Sequence, residues 1–421
     1  METSGRVAFF LRAYNDVDHF VPIIAEFVKN RENPLIVVTS QLNIRTDYRF
    51  KYLDAIGELE IIEDTDHRYV RYEQSSSVFD KPLRFLYKLS RSRNNPLGKI
   101  IQRIGFDCSE QMELLRKKNI SVCVFEWCSP FERGQKLEQY FVAAKGLGIT
   151  TLAIPHGCNV FINNDVNTSY RNTIARGRLH NPTDRKHFDY YVLQNPIRRD
   201  GWVKWGYDPL KTQAWGSVRF YPPWAEINRS ICPTALPFDA ESSYLKVVFM
   251  QFQKDYNLHN EMIFSVLTEL SNFPSINLVV KDATREGKAF YDRSKASNKL
   301  GDSLVGWFGN EYHSPSLIDW SDCVIVIGGS IGIEAILQNK PLIYPTFLNT
   351  NKTLYEFFDA AHCVTNQSEL LACLESIRKG EVEDKAAGQK KMISEIVYAG
   401  GEEFDVPAYY RDRIKRVGLT Y

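Results

Sequence analysis

The chain has 421 residues, 44% of them hydrophobic, which suits two domains with their own cores better than one or three. Its 52 Lys and Arg against 51 Asp and Glu leave a net charge of +1, so the average composition excludes a general nucleic-acid binder and confines any electrostatic specialisation to local segments. Eight scattered cysteines without CxxC spacing argue for free thiols in a reducing compartment and against a metal cluster.

The opening METSGRVAFFLRAYNDVDHF has a short apolar run broken by Arg12. It fits neither a secretory signal nor a membrane span, so a cytoplasmic protein is expected. Candidate buried strands then follow at 6–11, 34–40, 59–64, 120–126, 150–156, 190–195, 245–251, 276–282, 323–329 and 341–346. Helical patterns such as 17–30, 109–118, 133–146, 259–272 and 331–338 lie between them. Strand runs alternating with helices predict parallel sheets covered on both faces, an α/β fold. The Pro- and Ser-rich stretch at 220–243 divides the pattern. The reading is therefore a first domain over 1–220, a linker over 221–243 and a second domain over 244–421.

Residues 321–346, SDCVIVIGGSIGIEAILQNKPLIYPT, contain a glycine break at a strand-to-helix junction. Loops at the carboxyl ends of parallel strands bind ligands, and the next helix offers unpaired N–H groups. Gly328 and Gly329 allow close backbone approach, Ser330 can cap the helix or bond an oxygen, and Gly332 keeps the first turn thin. Ile331 lies within the same turn. Phosphate suits such a turn, and Glu334 one turn later can accept from ribose hydroxyls; the spacing matches neither GxGxxG nor a P-loop.

LIDWSDCVIVIGGSIGIEAILQNKPLIYPT resembles the nucleotide-binding half of GT-B glycosyltransferases, with two Rossmann-like domains facing a central cleft. FVAAKGLGITTLAIPHGCN (141–159) and WGYDPLKTQAWGSVRF (205–220) are similar to segments of bacterial surface-polysaccharide enzymes, including capsule Kdo transferases and CDP-glycerol glycerophosphotransferases. The resemblance implies a nucleotide-sugar donor in the second domain and a glycan or lipid-linked acceptor in the first, serving capsule, O-antigen or similar synthesis. The Gly-Ser-x-Arg that ends the second segment makes Arg219 a donor contact. Many relatives carry His-Pro after the second strand of the donor domain; here LVVKDATREGKAF offers Lys281 and Arg285 instead. Both can neutralise phosphate.

A hydroxyl acceptor must lose a proton as it attacks, so the bases are sought at strand ends of the first domain. His156 and Glu126 end candidate strands, and Asp16 and Asp18 follow the first strand. Arg12, Asn15 and Asn159 at the same ends are expected to contact the acceptor. Asp16-Val17-Asp18 and Asp64-Thr65-Asp66 match a metal-binding DxD signature, but both sit early for that fold, and GT-B enzymes use cations and helix dipoles on the leaving phosphate. No cofactor and no divalent metal are expected.

Residues 81–106 hold seven Lys or Arg and no acid, interleaved with apolar side chains. Such a stretch can lie on an anionic membrane, which would place the protein at its cytoplasmic face, or receive an acidic acceptor. Alternatives to glycosyl transfer are polyol-phosphate transfer of the CDP-glycerol type, nonhydrolysing epimerisation of a sugar nucleotide, and a noncatalytic binding subunit.

Overall fold

The computed structural model describes residues 5–418 apart from 41, 66–107, 128–135, 156, 164, 177–184, 235, 237–242, 284–298 and 310. The basic segment 81–106, His156, Asp66 and Arg285 therefore lie outside the described residues.

The first half forms strands β1 (Arg6–Leu11), β2 (Leu35–Val38), β3 (Glu60–Glu63), β4 (Ile120–Glu126), β5 (Thr150–Ile154), β6 (Tyr190–Leu193) and β7 (Thr212–Ala214). They build one seven-stranded parallel sheet in the order β3-β2-β1-β4-β5-β6-β7. The second half forms β8 (Leu245–Met250), β9 (Ile276–Lys281), β10 (Leu304–Phe308), β11 (Cys323–Val326), β12 (Leu342–Pro345) and β13 (His362–Val364). Their six-stranded sheet runs β10-β9-β8-β11-β12-β13, again parallel.

Central strands read as unbroken apolar runs because helices bury both faces. In β1, Phe9, Phe10 and Leu11 are buried, with Phe9 packed in the core shared with Phe20 and Phe27, and Phe10 stacked on Phe125 on the opposite face. Each such side chain contributes about 1.5–3 kcal/mol relative to exposure.

Strand order reverses between β1 and β4 in one sheet and between β8 and β11 in the other. These are the positions where a parallel sheet opens a crevice at its carboxyl edge.

Two parts of the expected division differ from the structure. The stretch read as a linker contains a ten-residue helix, Pro222–Ile231, whose buried Trp224 packs edge-on against Tyr52 of the first half. The last helix, Val406–Gly418, returns to the first sheet instead of completing the second domain. Its buried stripe of Val406, Tyr410, Ile414 and Val417 needs an apolar partner. The helix Tyr14–Lys29 and the first sheet supply it, with the Tyr410 hydroxyl donating to the Gly216 carbonyl at 2.8 Å and Arg411 and Lys415 pairing with Glu26 and Glu32.

Among the described residues, no helix is long and apolar enough to cross a membrane.

Candidate functional site at the facing switch points

At the carboxyl end of β1 the chain turns into helix α1 (Tyr14–Lys29). Asp16 sits in its first turn, where the carboxylate accepts from the backbone N–H groups of Arg12 at 2.6 Å and Ala13 at 3.0 Å. This is half of a capping box, and it starts the helix three residues earlier than the apolar pattern predicts. The Arg12 guanidinium reaches across the switch point to donate to Glu126 at the end of β4. Arg12 thus joins two carboxylates that are almost wholly buried, Asp16 at 1% and Glu126 at 2% exposure. Burial pushes the Asp16 carboxyl up to about 6, against the charge of Arg12 and the two backbone bonds, with nearby Asp18 adding to the rise.

Asp18 lies two residues further on and serves a different network. Its carboxylate takes an ion pair from Arg49, on helix α2 (Tyr48–Ile56), and another from Arg219 at 3.2 Å. Arg49 also grips Asp47, its helix cap, at 2.6 Å. Burial would raise Asp47, but the bonds from Arg49 hold it below its ordinary value. Arg219 in turn donates through Nε to Glu334 of the second half at 3.1 Å. Burial works against the Arg219 cation, and the carboxylates of Asp18 and Glu334 overcome it, so its proton is held more tightly than usual. Burial raises Glu334, and Arg219 opposes the rise. The line Asp47, Arg49, Asp18, Arg219, Glu334 runs from one domain into the other with three acids and two cations.

The glycine break follows β11. Gly328 and Gly329 have φ of 146° and 86°, the left-handed side that side chains avoid. The ring of Phe252, just past β8, fills the space beside them: a Cβ on Gly329 would stand 2.8 Å from it. Tyr355 donates to the Gly329 carbonyl at 2.8 Å, and its hydroxyl would stand 2.6 Å from a Cβ on Gly332. Backbone conformation thus requires glycine at 328 and 329, and close packing requires it at 329 and 332. Ser330 precedes helix α3 (Ile331–Leu337), yet its hydroxyl makes no capping bond, contrary to the expected cap. Partly exposed, it faces the loop after β5, where a Cβ on Gly157 would stand 3.6 Å from Ser330 Oγ.

The remaining candidates divide by position. Asn15 is half-buried and its side chain has no hydrogen-bond partner among the described residues. Asn159 is exposed, and its Oδ1 accepts from the Phe161 N–H at 2.9 Å within its own loop. Lys281 is buried at the end of β9, Ile331 is half-buried, and Gly332 is buried. The two carboxylates of the Asp16-Val17-Asp18 triplet are drawn to different cations, while Asp64 is bound by Lys136 at 2.9 Å and by the Tyr140 hydroxyl. Arg49, His19, Phe252 and Tyr355 escape the sequence reading. Phe252 alone had a usable signal, since it follows a strand that borders the switch point.

No protein-family model and no curated protein sequence matches the chain. Solved structures do. It is similar to the UDP-GlcNAc 2-epimerase of Neisseria meningitidis solved with UDP-GlcNAc, at 12% identity and a TM-score of 0.57 over 98% of each chain. It is also similar to Anabaena HepE in complex with UDP-glucose, at 11% identity and a TM-score of 0.52 over 98% of this chain and 99% of that one. The calicheamicin glycosyltransferase CalG4 matches at 12% identity and a TM-score of 0.50 over 99% and 100% of the two chains. The two-domain architecture is the GT-B fold.

Proposed function

We propose that this chain is a sugar-nucleotide-using enzyme, with the nucleotide at the β8/β11 switch point and the sugar at the β1/β4 switch point. The observation that carries the reading is Arg219, which contacts an acid on each side of the cleft, Asp18 and Glu334. A diphosphate leaving group entering there meets Arg219 and Arg49, whose carboxylate partners can exchange for phosphate oxygens. Gly329 and Ser330 supply the adjoining turn, and Glu334, once exchanged, can accept from a ribose hydroxyl. The fold likeness to proteins solved with UDP-GlcNAc and UDP-glucose makes UDP the first nucleotide to test.

In glycosyl transfer, the acceptor oxygen bonds to the anomeric carbon, the bond from that carbon to the diphosphate breaks, and a carboxylate takes the acceptor proton. Asp16, raised to about 6, is a stronger base than an ordinary carboxylate and is ionised at neutral pH. Glu126 is held in place by Arg12. A second reading, epimerisation of the sugar nucleotide alone, is favoured by the burial of both acids, which suits proton transfer on one enclosed sugar better than access by a large acceptor. Service in surface-polysaccharide synthesis, and contact of residues 81–105 with an anionic membrane, rest on sequence resemblance and local charge.

The test is thermal shift with UDP, CDP, GDP, CMP and dTDP, followed by turnover of UDP-GlcNAc and UDP-glucose with and without glycan acceptors. UDP release that requires an acceptor supports transfer; a changed sugar configuration without acceptor supports epimerisation. Absence of stabilisation by every nucleotide overturns the reading.

A further inference from the structure

The loop leaving β5 is held more firmly than a surface connection needs. Gly157 has a φ of 62°, and both halves of its polar backbone are taken by side chains from elsewhere in the first domain. Its N–H donates to Nε2 of His19, on α1, and its carbonyl accepts from Nε2 of Gln194, at the end of β6. His19 is 1% exposed and Gln194 is fully buried. Two residues on, Arg198 donates to the carbonyls of Asn159 at 3.2 Å and Phe161 at 2.5 Å. Beyond that point the loop crosses the cleft: Phe161 pairs with Thr353 in an antiparallel bridge, and Ile162 N–H donates to the Lys352 carbonyl at 2.9 Å.

We propose that His19 is a positioning residue, which fixes the Gly157 peptide and thereby sets the loop after β5 against the Ser330 turn of the second domain. An imidazole nitrogen that accepts from an amide N–H carries no proton itself, so the bond requires the ring form protonated on Nδ1. His19 lies on the same helix as Asp16 and Asp18, three residues from the first and next to the second. One rigid helix therefore locates the carboxylates and, through His19, the loop after β5 that faces the second domain. A loop shift of about 1 Å from the reacting geometry is enough to slow an enzyme severely. The consequence for turnover rests on the sugar-nucleotide reading; the fixing of the loop does not.

The experiment compares His19→Leu, His19→Gln and Gln194→Met with the unaltered full chain by hydrogen exchange and by UDP-sugar turnover. His19→Leu removes the acceptor, whereas His19→Gln keeps one on a side chain of similar reach. Amides of the segment 157–163 should exchange at least about tenfold faster in His19→Leu, the factor that one lost buried hydrogen bond represents, and recover much of their protection in His19→Gln. Gln194→Met should loosen the same segment from its carbonyl side and keeps the test open if His19→Leu does not fold. If the sugar-nucleotide reading holds, kcat should fall in His19→Leu with UDP affinity within about twofold, and His19→Gln should restore part of it. Unchanged exchange of this segment in folded His19→Leu and Gln194→Met overturns the proposal whatever the enzyme's substrate. Lost protection with no turnover of any sugar nucleotide by the unaltered chain supports the positioning and overturns only the functional reading.

Discussion

Arg219 stands between two carboxylates on opposite sides of the cleft, with Asp18 Oδ2 at 3.2 Å from Nη1 and Glu334 Oε1 at 3.1 Å from Nε. Asp18 keeps Arg49 as a second partner, whereas Glu334 has Arg219 as the cation bonded to it. Arg219→Met should therefore strand a buried carboxylate and destabilise the protein by about 3–5 kcal/mol at neutral pH. Because the stranded Glu334 would bind its proton more tightly still, the deficit should shrink as pH falls. Urea unfolding at pH 5 and pH 7.5 measures both; equal losses at the two values would contradict the account.

Asp16 gives a second pH signature with a definite sign. Burial raises its carboxyl from 3.8 to about 6, so between these values the folded chain holds a proton that the unfolded chain has released. Ionisation of Asp16 therefore subtracts stability as pH rises through this window, on the order of 3 kcal/mol in full. Asp16→Asn should remove that slope and be most favourable, relative to the unaltered chain, above pH 6. If Asp16 is also the base, the same variant should lose about 10²–10⁴ in turnover. A variant with the unaltered slope between pH 4 and 6 would show that the group is not the source.

Ser330 is a cleaner probe of the donor turn than its glycines. A valine at Gly329 would meet Phe252 and an unfavourable φ of 86°, so lost binding there would be confounded with damage to the turn. Ser330→Ala removes a hydroxyl with no hydrogen-bond partner among the described residues and stresses nothing. We expect an unchanged melting temperature and UDP binding about tenfold weaker, the value of one hydrogen bond to a charged phosphate. Calorimetric titration checks this, and equal affinity would move the phosphates away from the turn.

Asn351 should prove costly to replace. It is 4% exposed and uses its whole hydrogen-bonding capacity: Nδ2 donates to the carbonyls of Val166 and Tyr256, and Oδ1 accepts from Asn163 and Asn257. Two of these partners belong to the first half and two to the second. Asn351→Leu should cost about 3 kcal/mol and broaden or split the calorimetric unfolding transition as the two domains lose cooperation. A single sharp transition at the original temperature would mean that the seam does not couple them.

The two parallel sheets are legible in the residues alone. Strands such as VAFFL in β1 and VCVF in β4 are buried on both faces, so solvent exclusion writes itself into consecutive apolar residues. The glycine break was legible for the same local reason, since a strand that stops at Gly-Gly and resumes as a helix must turn sharply. The outer strands β7 and β13, TQA and HCV, are too short to carry an apolar signal, and β10, LVGWF, is apolar but broken by Gly306 and mostly half-buried, so none of the three is among the expected strands. Which charges meet depends on how the folded chain brings distant segments together. Arg219 and Glu334 are 115 residues apart, and Arg12 and Glu126 are 114 apart, so no local pattern records their pairing. The return of the last helix to the first sheet was hidden in the same way: its apolar stripe reveals that it must be covered, and the chain's path through space decides by what.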